Sequence, residues 1–159
     1  MHSSAHYRQL LTRLPQIAVA ADQFQVLSSA KDFKSRILSL IAHATQRIYL
    51  IALYLQDDEA GREILTALYA AKQRNPALDI KVFVDFHRAQ RGLIGKGKQG
   101  GNHLMYQAMA ARHEHQIEIY GVPVKGRELL GVLHLKGFIF DDTLLYSGAS
   151  LNDIYLHQQ

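Results

Sequence analysis

A chain of 159 residues that is 48% hydrophobic can bury a core of its own, which excludes general disorder. It has no cysteine, so disulfides, thiolate zinc sites and cysteine nucleophiles are excluded. Eighteen Lys and Arg against 14 Asp and Glu leave a net charge of +4, a mild bias toward anionic partners that does not choose among phospholipid headgroups, nucleotides and nucleic acid.

The first 29 residues open on a weakly helical, basic segment around Tyr7 to Leu14, followed by Pro15. Ser28-Ser29 precede Lys31–Gln46, where Phe33, Ile37, Leu40, Ile41 and Ala44 recur at helical spacing. Arg47–Leu55 is a nearly continuous apolar run, the pattern of a strand in a buried sheet. Asp57-Asp58 predict the N-cap of a helix running through about Arg74, with Ile64, Leu65, Leu68 and Ala71 on one side and Pro76 beyond its end. Leu78–Phe86 reads as a second strand, and residues 87–101 are Gly-rich and basic. Asn102–His113 predicts a helix, Ile117–Tyr120 a strand, and a hairpin closes the chain. This alternation predicts right-handed crossovers and an α/β fold, a mixed and mostly parallel sheet flanked by helices on both faces. No run approaches the ~20 apolar residues that span a bilayer. The opening Met1-His2-Ser3-Ser4-Ala5-His6 lacks the pattern of a secretory leader, so a cytosolic chain is expected.

The most informative stretch is His134-Leu135-Lys136, followed by Asp141, Gly148 and Asn152. The segment reads as a β-strand, in which residues i and i+2 share a face, so His134 and Lys136 project together. An imidazole beside a fixed cation suits attack on a phosphodiester. The cation offsets charge on the phosphoryl oxygens while the imidazole does covalent or proton chemistry. Gly137–Phe140 and Thr143–Tyr146 form the hairpin arms, with Asp141-Asp142 as the turn. Asp141 at the turn is expected to orient backbone or neighbouring groups rather than attack substrate. Gly148-Ala149-Ser150-Leu151-Asn152 gives a small, polar strand exit where backbone can approach a ligand. A lone His and Lys on a strand is more often a solvated face; the full string is far more restrictive.

The string resembles the phospholipase D superfamily signature, His-x-Lys-x4-Asp-x6-Gly-(Gly/Ser)-x-Asn. His134, Lys136, Asp141 and Gly148 match in place, while Gly148–Asn152 carries one residue more than the usual ending. Within the superfamily the chain is similar to the bacterial CDP-diacylglycerol–serine O-phosphatidyltransferases. The likeness includes Ile51–Leu55, Val84–Gly92, Tyr120-Gly121-Val122-Pro123, Leu130–His134 and Tyr146–Asp153, and runs from about Leu14 to the end. Members of that family carry two such motifs in a longer polypeptide, and this chain has one. The expected organisation is therefore a single phospholipase D-like domain over residues 1–159, resembling the first catalytic half.

The resemblance implies displacement of CMP from CDP-diacylglycerol and transfer of the phosphatidyl group to L-serine. One His forms a phosphohistidine and another protonates the leaving group. His134 is one of the two, its role left open. The implied catalytic set is His134, Lys136 and Asp141, with Ser150 and Asn152 binding phosphate; no metal and no cofactor is called for. The implied partners are an anionic membrane surface at the inner face of the cell membrane and a second phospholipase D-like half, in cis or from a homodimer. His87, Arg88 and Arg91 follow a strand end, where ligands gather in α/β sheets, and are candidate substrate contacts. The Gly-rich stretch lacks the Gly-Lys-Ser/Thr ending of a Walker loop. Lys125-Gly126-Arg127 reads as a solvated turn, His113-Glu114-His115 as a polar helix end, and Tyr49, Tyr54 and Tyr69 as core or rim aromatics. Two alternatives stay open. One is a homodimeric single-motif nuclease or phosphodiesterase, although a nucleic-acid substrate calls for a broader basic face. The other is an inactive truncated domain that binds membrane or a partner.

Overall fold

The computed structural model describes residues 9, 11–90, 100–124 and 132–156. Ser29 opens helix α1 (Ala30–His43), its hydroxyl oxygen accepting from the Asp32 N–H at 3.0 Å. The buried stripe of α1 is Phe33, Ile37 and Ile41. Strand β1 (Arg47–Ala52) follows, and Asp58 caps α2 (Glu59–Arg74) by accepting from the Gly61 N–H at 3.0 Å. Gly61 is required by close approach, because a Cβ there would lie 1.9 Å from the Gln56 carbonyl oxygen. Strand β2 (Asp79–Asp85) runs into the short helix α3 (Phe86–Ala89). Then come α4 (Asn102–Ala110), β3 (Glu118–Val122), β4 (Gly137–Phe140), β5 (Thr143–Tyr146) and α5 (Asp153–Leu156).

The five strands form one mixed sheet in the order β3-β2-β1-β4-β5. Its parallel part is β1–β2 and β2–β3, joined through helices as the alternating pattern requires. Its antiparallel part is the motif hairpin, β4–β5, with β4 set against β1. Ile48, Leu50 and Ala52 of β1 share a buried face with Ile80, Val82 and Val84 of β2 and with Phe138 and Phe140 of β4. The stripes of α1, α2, α4 and α5 close over that face in one core. Each aliphatic side chain fully buried there contributes roughly 1.5–3 kcal/mol.

This helix-flanked mixed sheet is the architecture that the alternating pattern predicts. The core that the described helices share lies on one side of the sheet. The alternate residues Tyr49, Ile51 and Phe83 are half-buried, and Tyr120, Ile139, Leu144 and Tyr146 are exposed. On this open face Phe83 stacks on Tyr120 with ring centroids 5.3 Å apart. The Lys81 ammonium, then the Tyr49 hydroxyl, hold the Asp79 carboxyl below its ordinary range. Among the described residues no helix is long and apolar enough to cross a membrane.

One difference from the sequence reading concerns the motif itself. His134, Leu135 and Lys136 are not part of a strand; β4 begins at Gly137. The reason lies in its neighbours. The β1–β4 register ends at Ile51–Gly137 and the β4–β5 register at Gly137–Tyr146, so the preceding residues have no ladder on either side. Strand β1 likewise stops at Ala52 rather than Leu55, where its backbone turns to other partners: the Leu53 carbonyl accepts from the Asp85 N–H at 3.1 Å.

Candidate active site

The motif begins where the ladder ends. His134 is exposed. Lys136, two residues on, is only 7% exposed, and its ammonium donates to the His134 carbonyl at 3.3 Å. Lys136, Phe138 and Phe140 keep the same parity, so the lysine continues the buried side of β4 up to the sheet's end. Among the described residues no carboxylate pairs with this ammonium within ion-pair distance. Buried charges are ordinarily paired or strongly hydrogen-bonded. The arrangement offers an accessible imidazole beside a cation sheltered from water, suited to an anionic ligand.

Asp141 sits at the other end of β4. It takes a positive φ of 50°, a region that Asp and Asn tolerate better than other side chains. Its carboxylate turns back onto the chain entering β1. Oδ1 accepts from the N–H groups of Gln46 at 2.8 Å and Arg47 at 2.9 Å, and Oδ2 from the Thr45 N–H at 2.9 Å and hydroxyl at 3.1 Å. Arg47 returns the contact, its Nε donating to the Asp141 carbonyl at 3.0 Å. The Arg47 N–H, with those of Thr45 and Gln46, holds the Asp141 carboxyl down to about 2. The carboxylate thus ties the hairpin turn to the chain entering β1.

After β5 the chain returns beside the end of β1. Leu151 bridges Leu55, and the Gln56 N–H donates to the Leu151 carbonyl at 3.3 Å. That return buries Ser150 and Asn152. The Asn152 carbonyl opens α5 by accepting from the Leu156 N–H at 2.9 Å, and its Oδ1 accepts from the Tyr155 N–H at 3.2 Å. Its Nδ2 lies 3.5 Å from the Tyr54 hydroxyl. Gly148 faces open space, with nothing within 4 Å of where a Cβ would lie.

Of the secondary candidates, His87 is exposed on α3, its ring edge-on to Phe86. Arg88 is half-buried, and its Nε, enclosed by protein, has no hydrogen-bond partner among the described residues. Arg91, Lys96, Lys98 and Lys125–Arg127 lie outside the described residues. His113 stacks on Tyr69 and belongs to packing. Among the described residues no three His, Asp or Glu side chains come together to hold a metal ion.

Residues 37–153 match the family described as "Cardiolipin synthase, PLD-like domain". This chain belongs to that family. It is 50% identical over 155 residues to a CDP-diacylglycerol–serine O-phosphatidyltransferase of Haemophilus influenzae, covering 94% of this chain and 34% of the relative. The likeness to the Escherichia coli enzyme of that name is 50% over 153 residues, 96% of this chain and 34% of the relative. The chain thus spans about a third of the length of these relatives. The crystal structure of Haemophilus influenzae phosphatidylserine synthase superimposes with a TM-score of 0.87 and 47% identity, over 98% of this chain and 34% of that one. NucT from Helicobacter pylori shares the fold alone, with a TM-score of 0.57 and 14% identity over 80% of this chain and 72% of its own.

Within this phospholipase D-like domain two neighbours of the motif escape a sequence reading. Tyr54 looks like one more core or rim aromatic, yet its hydroxyl faces Asn152, 98 residues away. Asp85 looks like a polar strand end, yet it is fully buried, and its Oδ2 accepts from the Leu133 N–H at 2.9 Å. The available signal was composition: a carboxylate ending an otherwise alternating apolar strand, two residues before His87.

Proposed function

We propose that this domain supplies one half of a phosphatidyl-transferring site that uses CDP-diacylglycerol and L-serine. An imidazole nitrogen attacks the phosphatidyl phosphorus, the P–O bond to CMP breaks, and a general acid protonates the departing CMP. The serine hydroxyl then attacks the same phosphorus. The P–N bond breaks, the hydroxyl proton passes to the waiting base, and phosphatidylserine leaves. Of the two imidazole roles, His134 takes that of the attacking nucleophile. The other comes from a second phospholipase D-like half, in cis or from another subunit. Lys136 offsets charge on the phosphoryl oxygens, and Ser150 or Asn152 donates to them.

The observation that carries this reading is the buried Lys136 ammonium, without a carboxylate partner among the described residues, beside the exposed His134. It supports phosphoryl chemistry. The names of the relatives that are 50% identical supply the substrates. The test is the half-reaction. Purified chain is mixed with CDP-diacylglycerol labelled in the phosphatidyl phosphate, in detergent micelles, and quenched in alkali. The expected result is alkali-stable label on His134 and release of CMP, with little or no labelled serine entering lipid unless a second-motif polypeptide is added. Serine transfer by a proven monomer at a rate matching a two-motif enzyme would overturn the half-site, and cleavage of DNA with no reaction on the lipid nucleotide would favour a nuclease.

The lipid substrate places the working protein at the inner face of the cell membrane as a peripheral protein. Arg88, Arg91, Lys96 and Lys98 would each contribute ~1 kcal/mol near an anionic surface. Sedimentation with anionic vesicles should weaken as salt rises. Equal binding to neutral vesicles would count against it.

A further inference from the structure

We infer that Asp85 is a positioning residue for His134, an inference that rests on the reading of His134 given above. Asp85 is 0% exposed at the end of β2. Its two oxygens serve two separate pieces of chain. Oδ1 accepts from the Arg88 N–H at 2.8 Å and so caps α3, while Oδ2 accepts from the Leu133 N–H at 2.9 Å. Its own N–H donates to the Leu53 carbonyl at 3.1 Å, which ties the carboxylate to the end of β1. Among the described residues no Lys, Arg or His lies within ion-pair distance of it.

A fully buried carboxylate is costly, and an apolar side chain of similar volume would often serve stability as well or better. What an apolar side chain cannot do is hold two backbone N–H groups at a fixed separation. The residue it holds matters because Leu133 directly precedes His134 in a stretch that has left the sheet. From Gly137 onward the backbone is fixed by β1 and β5. Upstream of His134 the Asp85–Leu133 bond replaces the missing ladder. His134 is therefore suspended between the sheet on one side and the Asp85 carboxylate on the other. The same carboxylate sets α3, which carries His87 and Arg88, so one group places the imidazole and the candidate substrate contacts relative to each other.

The test uses the full 159-residue chain with Asp85→Asn and Asp85→Ser. The amide of Asn cannot accept on its nitrogen side, and Ser can still cap α3 but is too short to serve both N–H groups. In the parent chain the Leu133 amide should be protected from hydrogen exchange, and both variants should lose about tenfold or more of that protection. Single-turnover labelling of His134 from CDP-diacylglycerol should slow by about 10²-fold, as expected for a nucleophile displaced by about 1 Å. The lipid concentration giving half-maximal rate should change less than about twofold, because binding is not what is lost. A merely structural role would lower the melting temperature without this separation of rate from binding. Leu133 exchanging at the unfolded rate in the parent chain overturns the inference, as does a folded variant that loses Leu133 protection yet labels His134 at the parental rate. If the parent chain takes no label, the proposed function fails separately, and Leu133 exchange in parent and variants still decides what Asp85 holds. If both variants unfold, parental Leu133 protection decides it.

Discussion

The two ends of strand β4 are built on opposite principles. At the Asp141 end every carboxylate oxygen is engaged, four donors from Thr45, Gln46 and Arg47 converge, and the residue is committed to holding the hairpin against β1. At the His134 end the ladder stops, the imidazole is exposed, and the buried Lys136 ammonium has one weak hydrogen bond among the described residues. The first end is saturated and the second is left unsatisfied. A signature that reads as one catalytic string is thus an anchor joined by a four-residue strand to the pair proposed to react, His134 and Lys136. The difference teaches that stability and activity should separate when the motif is mutated.

The largest effect should come from His134→Ala. Labelling from CDP-diacylglycerol should fall below detection, while the melting temperature stays within about 1 °C, since an exposed side chain with no structural partner among the described residues is near neutral when removed. Labelling that persists would break the comparison at its reactive end. Lys136→Met comes next, and here the signs oppose. The rate should fall about 10²–10³-fold with the loss of a preorganised cation. Stability should hold or rise, because a buried charge without a carboxylate partner among the described residues is replaced by a chain of similar volume. A clear loss of stability would mean that the fold itself already compensates that charge.

Asp141→Ala should do the reverse, lowering stability by about 2–4 kcal/mol through the loss of charge-assisted bonds to backbone. At about 2–4 °C per kcal/mol for a chain of this size, thermal unfolding reads it directly. The rate per folded molecule should change far less than for His134→Ala. The pH dependence follows from the same contacts. The folded carboxyl is held at about 2, below its value of about 3.9 in an unfolded chain, so its stabilisation is complete above about pH 4 and is lost as pH falls toward 2. The melting temperature should drop through that window, and Asp141→Asn should flatten the drop. The smallest effect is Gly148→Ala, where a new Cβ meets no atom within 4 Å. Stability should change by less than about 0.5 kcal/mol. A few-fold weakening of lipid-nucleotide use, without a change in melting temperature, would place substrate against that glycine.

What the sequence made legible was local. The α1 stripe Phe33, Ile37 and Ile41, the Asp58 cap and the hairpin arms around Asp141-Asp142 all follow from spacing and side-chain chemistry within a few residues. What it hid depended on neighbours. His134–Lys136 has strand composition, but a strand exists only where another is beside it, and the registers with β1 and β5 both end at Gly137. The expected strand to Leu55 ends at Ala52 for the same kind of reason. Tyr54 and Asp85 were hidden because their partners stand 98 and 48 residues away. Ile139, Leu144 and Tyr146 alternate out of the core without cover among the described residues.

That open face bears on how folding of this chain is monitored. Dyes of the anilinonaphthalene type brighten on exposed apolar surface, and their emission is commonly taken as the mark of a loosened, molten state. Here the ordered sheet offers such a platform itself, with Leu144 and Tyr146 each about 70% exposed beside Ile139. Emission in native buffer would therefore accompany intact packing. With eight tyrosines and no tryptophan in the chain, the near-ultraviolet circular dichroism of tyrosines such as the buried Tyr69 is the signal that distinguishes a native molecule from a collapsed one.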